Sequence, residues 1–113
     1  MAVIDWDQFN ENFQYYDKET IQEVIKDFFE ETEERMIQLE KIISERDFAK
    51  LAFNAHSLKS VIGNFMAPKP YEMCRQLETM GKQNEGNHLE EVFSELKGLI
   101  GELTTDLKSY LHQ

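Results

Sequence analysis

Hydrophobic residues recur along the chain at spacings of three and four positions, which is the period of an amphipathic α-helix. Five segments show this pattern, and several begin with a capping residue followed three positions later by a side chain that can reach back to it. No run alternates polar and apolar residues with β-branched enrichment, and no Asn-Gly or Asp-Gly hairpin turn is present. The pattern therefore predicts an all-α chain.

The first two predicted helices differ in length. Asp5 opens a short helix that ends near residues 15–16. Thr20, preceded by Asp17, opens a second helix of about seven turns. The residues expected to face the core are Trp6, Phe9 and Phe13 in the first helix and Ile21, Val24, Ile25, Phe28, Phe29, Met36, Leu39, Ile42 and Ile43 in the second.

Two prolines separate the third predicted helix from the fourth. Asp47 is the expected N-cap of the third helix. Because proline lacks an amide donor and is accepted mainly in the first turn, the fourth helix is expected to begin at about Pro70 and to break at Gly81 and over residues 84–87. The expected core residues are Phe48, Leu51, Ala52, Ala55, Leu58, Ile62 and Phe65 in the third helix and Tyr71, Met73, Cys74, Leu77 and Met80 in the fourth.

The fifth predicted helix begins at Asn87 and contains two glycines, Gly98 and Gly101, each of which costs up to about 1 kcal/mol of helix propensity. Its apolar stripe is Leu89, Val92, Phe93, Leu96, Leu99, Ile100, Leu103, Leu107, Tyr110 and Leu111. Four long helices that each have one apolar face bury those faces by packing antiparallel around a shared core. We therefore predict an antiparallel up-down four-helix bundle with a short additional N-terminal helix.

The size and charge of the chain restrict its function classes. Its 113 residues suffice for one core, so residues 1–113 are expected to form a single domain and a monomer. A net charge of -10 disfavours nucleic acid and anionic membrane surfaces as partners. One cysteine, no signal-like N-terminus and no apolar run of roughly 20 residues predict a soluble, cytoplasmic protein.

His56 is the histidine whose position is most informative. At about 100° per residue, it lies roughly 110 to 120° from the centre of the apolar stripe of the third helix, at the margin of the core. Its neighbours at helical spacing are mostly too small to cover an imidazole: Ala49, Ala52, Lys59, Ser60 and Gly63. His88 and His112 are expected to be solvated.

An accessible imidazole beside a lysine suits nucleophilic chemistry on a phosphoryl group. Lys59, one turn after His56, can reach a negative group attached to the ring. One ring nitrogen must stay free while an acceptor holds the other, and Glu78 on the fourth helix is a candidate for that acceptor. Phe53 is expected to be an exposed aromatic on the same side. These residues alone also allow an incidental surface histidine and lysine.

Residues 55–59, Ala-His-Ser-Leu-Lys, resemble the His-x-Leu-Lys signature of histidine phosphotransfer (HPt) domains. The likeness extends over nearly the whole chain, since residues 28–36 resemble the second helix of the family and residues 45–47 its lead-in to the phosphorylated helix. Cys74 with Leu77 and Glu78 resembles its Cys-x-x-Leu-Glu pattern. The resemblance implies that His56 is the phosphoacceptor, Lys59 supports the phosphate and Glu78 orients the imidazole.

The resemblance implies a phosphocarrier in a two-component phosphorelay, with response-regulator receiver domains as partners and a hybrid sensor histidine kinase as a further candidate. His56 would accept the phosphoryl group of an aspartyl phosphate and donate it to a second receiver. No cofactor of its own is expected, because the receiver supplies Mg²⁺ and the geometry of transfer, and whether the carrier is an enzyme is left open. The expected docking residues are Phe53, Ser60, Gly63 and Met66, with Trp6 or Phe9 as further candidates.

Two positions depart from the pattern of the family. Ser60 and Met66 stand where the family usually has glycine. Serine is small enough to leave the phosphoryl site accessible. Met66, ten residues beyond His56 and about three turns away, is expected to affect docking more than chemistry.

Two other functions fit parts of the sequence. A non-catalytic helical adaptor would bind a receiver or another signalling protein without accepting phosphate, although the presence of both His56 and Lys59 argues against it. A di-metal carboxylate enzyme would use Glu85 and His88, which have Glu-x-x-His spacing, but that chemistry needs two such motifs and the sequence has one. The acidic run over residues 30–34 is interpreted as the solvated face of a helix.

Overall fold

The computed structural model describes residues 3–113, which form five α-helices and no strand. The helices are α1 (Trp6–Asn12), α2 (Lys18–Ser44), α3 (Phe48–Gly63), α4 (Pro68–Lys82) and α5 (Leu89–Leu111). Each long helix packs on the next along the chain, and α5 closes the bundle against α2. The predicted all-α, up-down bundle with a short N-terminal helix is confirmed. None of the helices over residues 3–113 has the length and apolar character that crossing a bilayer requires.

Helix α1 packs against the end of the bundle through its aromatic face. Phe9 is fully buried, and its ring lies edge-on to that of Tyr110 on α5, with 5.1 Å between the ring centroids. The helix ends at Asn12, about one turn before the predicted end near residues 15–16. The chain then turns to reach the start of α2, so the last aromatic residues of this segment lie outside the helix.

Two helices begin at residues other than the predicted caps. Asp17, rather than Thr20, is the N-cap of α2, and its carboxylate accepts a hydrogen bond from the Thr20 amide at 2.7 Å. The residue preceding α5 is His88, whose φ of 63° places it in the left-handed region, so Asn87 is not the cap. In both places neighbouring residues could serve as caps, and the connecting turn decides between them.

Helix α4 starts earlier and continues further than predicted. Its first residue is Pro68, because the first-turn amides of a helix have no intrahelical partner and both Pro68 and Pro70 fit there. Gly81, predicted to break the helix, lies inside it and is buried. A Cβ at this position would lie 2.6 Å from the amide nitrogen of Ala52 and 2.8 Å from the carbonyl oxygen of Phe48. Gly81 therefore allows α4 to pack closely on α3.

Most of the residues predicted to face the core are buried or half-buried, but the burial of two residues differs from the prediction. Tyr71 was expected to be buried and is 39% exposed. Thr32 occupies a buried position within the stripe of α2, and its hydroxyl has no hydrogen-bond partner among the described residues. The predicted core residues that are half-buried are Trp6, Val24, Phe29, Met36, Phe48, Ala52, Met73, Met80, Val92, Leu99, Tyr110 and Leu111.

Candidate functional site

His56 lies in the middle of α3, on the face that borders α4, and its side chain is 60% exposed. The positions around it at helical spacing carry small side chains: Ala49, Ala52, Ser60 and Gly63. Two of these, Ala49 and Ser60, are themselves exposed. The imidazole is therefore accessible to a partner protein.

A buried carboxylate holds one nitrogen of this imidazole. Nδ1 of His56 lies 2.8 Å from Oε2 of Glu78 on α4, and the Glu78 side chain is only 8% exposed. The hydrogen bond from Lys59 and the weaker effects of the bonds to His56 and Lys82 together lower the pKa of Glu78 to about 2, against the opposing effect of burial. Glu78 is thus ionised at neutral pH.

The ionised state of Glu78 fixes the tautomer of the neutral ring. A carboxylate can only accept hydrogen bonds, so Nδ1 of His56 must carry the proton and donate it to Glu78. Nε2 is then the unprotonated nitrogen, and it makes no hydrogen bond within residues 3–113. The geometry leaves one basic nitrogen available on an exposed ring.

Two lysines share the same carboxylate. The Lys59 ammonium donates to Oε1 of Glu78 at 2.7 Å, and the Lys82 ammonium lies 3.3 Å from Oε2. The bond to Glu78 raises the pKa of Lys59, so this group is charged at neutral pH. One negative and two positive charges leave an excess of one positive charge beside His56. That excess suits a site for a phosphoryl group in a chain that is otherwise strongly acidic.

The predicted docking residues differ in their solvent exposure. Phe53 is 70% exposed. Ser60 is exposed, and its hydroxyl donates to the His56 carbonyl at 3.2 Å, while Gly63 is half-buried. Phe9 is fully buried, so its expected place among the docking residues is wrong. Trp6 is half-buried, and its ring stacks on that of Tyr110 in α5.

Met66 lies beyond α3 rather than on it. The helix ends at Gly63, and Met66 has a φ of 56°, so the expectation of a position three turns along the helix is wrong. A left-handed residue favours glycine, which gives a physical reason for the glycine that the resembled family usually has here. The Met66 carbonyl accepts a hydrogen bond from the Asp5 amide at 2.8 Å, so this residue joins the N-terminal segment to the edge of the site.

Within residues 3–113, none of the remaining candidate residues makes a hydrogen bond or an ion pair with His56, Lys59 or Glu78. Burial raises the pKa of the Cys74 thiol to about 12, which makes it a poor nucleophile. His88 and His112 are exposed, as is Glu85. Among residues 3–113, no three or more His, Cys, Asp or Glu side chains are grouped so that they could hold a metal ion. Among these residues, the fold therefore brings no further metal ligands next to Glu85 and His88.

Three residues at the site have roles that sequence reasoning missed. The ion pair between Lys82 and Glu78 is not among the predicted contacts, although the two residues are four positions apart, a spacing that favours ion pairs on a helix. The sequence predicts a helix break at Gly81 and a core position for Tyr71. Tyr71 is seven residues before Glu78, so it lies on the same face of α4, and this spacing is visible in the sequence.

The lowered pKa of Glu78 predicts a pH-dependent contribution to stability. A carboxyl with a folded-state pKa below its ordinary value of 4.5 stabilises the fold above that pH, and the contribution is lost as the pH falls towards about 2. We expect Glu78→Gln to lower the free energy of unfolding by up to about 3 kcal/mol at pH 7 and by much less near pH 2.5. Urea denaturation at pH 7, 5, 3.5 and 2.5 measures the difference.

Glu72 provides the matched control for this experiment. It lies on the same helix and pairs with Arg75, which lowers its pKa, but both side chains are about half exposed, at 44% for Glu72 and 52% for Arg75. Glu72→Gln should therefore change the stability far less than Glu78→Gln does at pH 7. A difference between wild type and Glu78→Gln that stays constant from pH 7 to pH 2.5 would contradict the prediction.

The fold and the site together define a helical bundle that presents one exposed, oriented histidine beside an excess of positive charge. A family model for the Hpt domain matches residues 23–107, which include the whole of α3 and α4. The chain therefore belongs to the Hpt domain family, whose members act in phosphotransfer in two-component signalling and interact with receiver domains. A search of curated proteins and a search of solved structures each returned no match.

Proposed function

We propose that this chain relays a phosphoryl group between aspartates of receiver domains through a phosphohistidine at His56. The observation that carries the proposal is the contact between Nδ1 of His56 and buried Glu78, since it leaves Nε2 as the nucleophilic nitrogen of an exposed ring. Membership of the Hpt domain family supports the same reaction. Lys59 is assigned the support of the bound phosphate, and Glu78 the orientation of the ring.

In the transfer step, the bond that forms at His56 is matched by the bond that breaks at the aspartyl phosphate. The lone pair of Nε2 attacks the phosphorus of an aspartyl phosphate, the N–P bond forms, and the P–O bond to the aspartate breaks with its electron pair leaving on the carboxylate. The proton on Nδ1 stays in place, so the phosphorylated ring becomes cationic. Glu78, 2.8 Å from Nδ1, stabilises that positive charge. Donation to a second receiver reverses these bond changes.

The two lysines offset the charge that arrives with the phosphoryl group. Glu78 needs one of them for neutrality, so the other is available to the phosphoryl oxygens. Lys59 is one turn after His56 on the same helix and is the better placed of the two to turn towards the ring. Lys82, which reaches the same carboxylate from α4, would keep Glu78 neutralised when Lys59 moves.

The receiver domain would supply the components of the reaction that we do not assign to this chain. We assign the Mg²⁺ ion and the in-line geometry to the receiver domain, and we assign no cofactor and no independent catalytic activity to the carrier.

Exposed Phe53, with Ser60, Gly63 and Met66, would form the docking face. A hybrid sensor histidine kinase is a further candidate partner. We further propose that the protein is a cytoplasmic monomer, and the buried free thiol of Cys74 fits a reducing compartment.

Incubation with a phosphorylated receiver and Mg²⁺ tests the proposal directly. We expect the label of the receiver to move to this chain as an acid-labile, alkali-stable group, because phosphohistidine is a phosphoramidate, whereas the aspartyl phosphate of the receiver is an acyl phosphate. Omitting the receiver is the control. Binding to receivers without any label would favour the non-catalytic adaptor, and an absence of both label and binding with several phosphorylated receivers would contradict the proposal.

A further inference from the structure

The Lys59 ammonium has an aromatic neighbour as well as a carboxylate. It lies 5.9 Å from the centroid of the Tyr71 ring and 2.7 Å from Oε1 of Glu78. The Lys59 side chain is only 18% exposed, so these two α4 residues account for much of its surroundings. An ammonium over an aromatic face is attracted by the ring quadrupole, and the attraction grows as water is excluded.

The antiparallel packing of α3 on α4 explains why these side chains meet. His56 lies opposite Glu78 at one level of the helix pair. Two turns further along α3, Gly63 lies opposite Tyr71, since a Cβ on this glycine would be 3.5 Å from Cε2 of the ring. Lys59 is between these two levels, so its stem runs along α4 with Glu78 on one side and Tyr71 on the other.

The exposure of Tyr71 indicates that the ring is not needed to fill the core. It was expected to be buried, yet it is 39% exposed and packs at the edge of the helix pair. The other charged group near Lys59 on this part of α4 is Arg75, which is held by Glu72 on its own helix. Tyr71 is therefore an uncharged neighbour of the ammonium, whereas Glu78 is its charged partner.

We propose that Tyr71 is a positioning residue for phosphotransfer, which acts by confining the Lys59 ammonium beside Glu78 within reach of the phosphoryl group on His56. A carboxylate alone would hold the lysine strongly and in one place. The aromatic face offers a weaker second contact, so that the lysine stays near the site when the phosphoryl oxygens compete with Glu78 for it. This inference rests on the function proposed above.

Two substitutions at Tyr71 separate the contribution of the aromatic face from that of the hydroxyl group. Tyr71→Leu removes the aromatic face, and we expect it to shorten the lifetime of the phosphohistidine by about two- to five-fold, as loss of one cation–π contact would do. Tyr71→Phe keeps the face and should behave as the wild type. A Leu variant with the wild-type lifetime, or a Phe variant as impaired as the Leu variant, would overturn the inference.

A double-substitution cycle tests whether Tyr71 acts through Lys59. In a Lys59→Ala background, Tyr71→Leu should have no further effect on the lifetime, because the group that it confines is absent. An equal effect in both backgrounds would mean that Tyr71 acts on the fold or on docking, and would overturn the inference.

The contact can also be observed without any phosphoryl transfer. In NMR spectra, the ε-methylene protons of Lys59 should show an upfield ring-current shift in the wild type and in Tyr71→Phe, and lose it in Tyr71→Leu. If the shift is unaffected by Tyr71→Leu, the inference about Tyr71 fails while the function assigned to His56 stands. If the wild type is never labelled at His56, the proposed function fails instead, and with it the role of Tyr71.

Discussion

Replacing His56 by glutamine is expected to abolish the acid-labile label completely and to leave the fold unchanged. The glutamine amide has no basic nitrogen, because its lone pair is delocalised, so no N–P bond can form. The amide can still donate a hydrogen bond to Glu78 in place of Nδ1. Because the ring is 60% exposed, the free energy of unfolding should change by no more than about 0.5 kcal/mol.

His88 supplies a matched control for this substitution. It is also an exposed histidine whose Nδ1 faces a glutamate, at 3.1 Å from Oε2 of Glu91, but that glutamate is exposed and no lysine shares it within residues 3–113. His88→Gln should therefore accept label at the wild-type rate. Label that persists in His56→Gln would place the phosphoacceptor elsewhere and contradict the assignment.

The architecture could be predicted from the sequence because it depends on a regular property of the chain. Apolar residues at helical spacing predict five amphipathic helices. The four long helices each have an apolar face, and packing into a bundle buries these faces. The ends of the helices were harder to predict. Where Asp17 and Thr20 both suit a cap, or Asn87 and His88 adjoin, local preferences are nearly equal and the connecting turns decide.

Part of the site follows from local geometry and part does not. The marginal position of His56 and its small neighbours are set by one helix, so the sequence predicts an accessible ring, and the structure places the ring in that setting. The contact with Glu78 depends on the register between α3 and α4, which periodicity alone leaves undetermined. The sequence offers Glu78 only as a candidate acceptor, and the resemblance to a family implies its role beside the imidazole.

The residues that were misread share one physical cause. Tyr71 is predicted to be buried because it belongs to the apolar set of the fourth helix, and Gly81 is predicted to break that helix because glycine has a low helix propensity. Both make contacts that arise only where two helices meet. Tyr71 packs beside Gly63 and Lys59, and Gly81 faces the backbone of α3 at Ala52.

Gly81→Ala is expected to destabilise the protein by at least about 2 kcal/mol and to lower its Tm by about 10 °C. The new methyl group would lie 2.6 Å from the amide nitrogen of Ala52 and 2.8 Å from the carbonyl oxygen of Phe48. These are backbone atoms of α3, so no side chain can move aside and the two helices must separate. Thermal and urea denaturation followed by circular dichroism measure the loss.

Gly98→Ala is the control with the same chemical change. Gly98 lies inside α5, where nothing outside its own helix is within 4 Å of the position that a Cβ would occupy. Alanine there should raise the free energy of unfolding by up to about 1 kcal/mol through helix propensity alone. The two substitutions are therefore expected to have effects of opposite sign, and a stabilised Gly81→Ala variant would contradict the close packing of α4 on α3.

The same substitution should also impair the site, because Gly81 is three residues after Glu78 on α4. Separation of α4 from α3 lengthens the 2.8 Å contact between Nδ1 of His56 and Glu78, which weakens the hold on the tautomer that exposes Nε2. At a temperature where Gly81→Ala is still folded, its rate of labelling should fall well below that of the wild type, whereas Gly98→Ala should be labelled normally. Normal labelling of folded Gly81→Ala would show that the contact with Glu78 tolerates a change in helix separation.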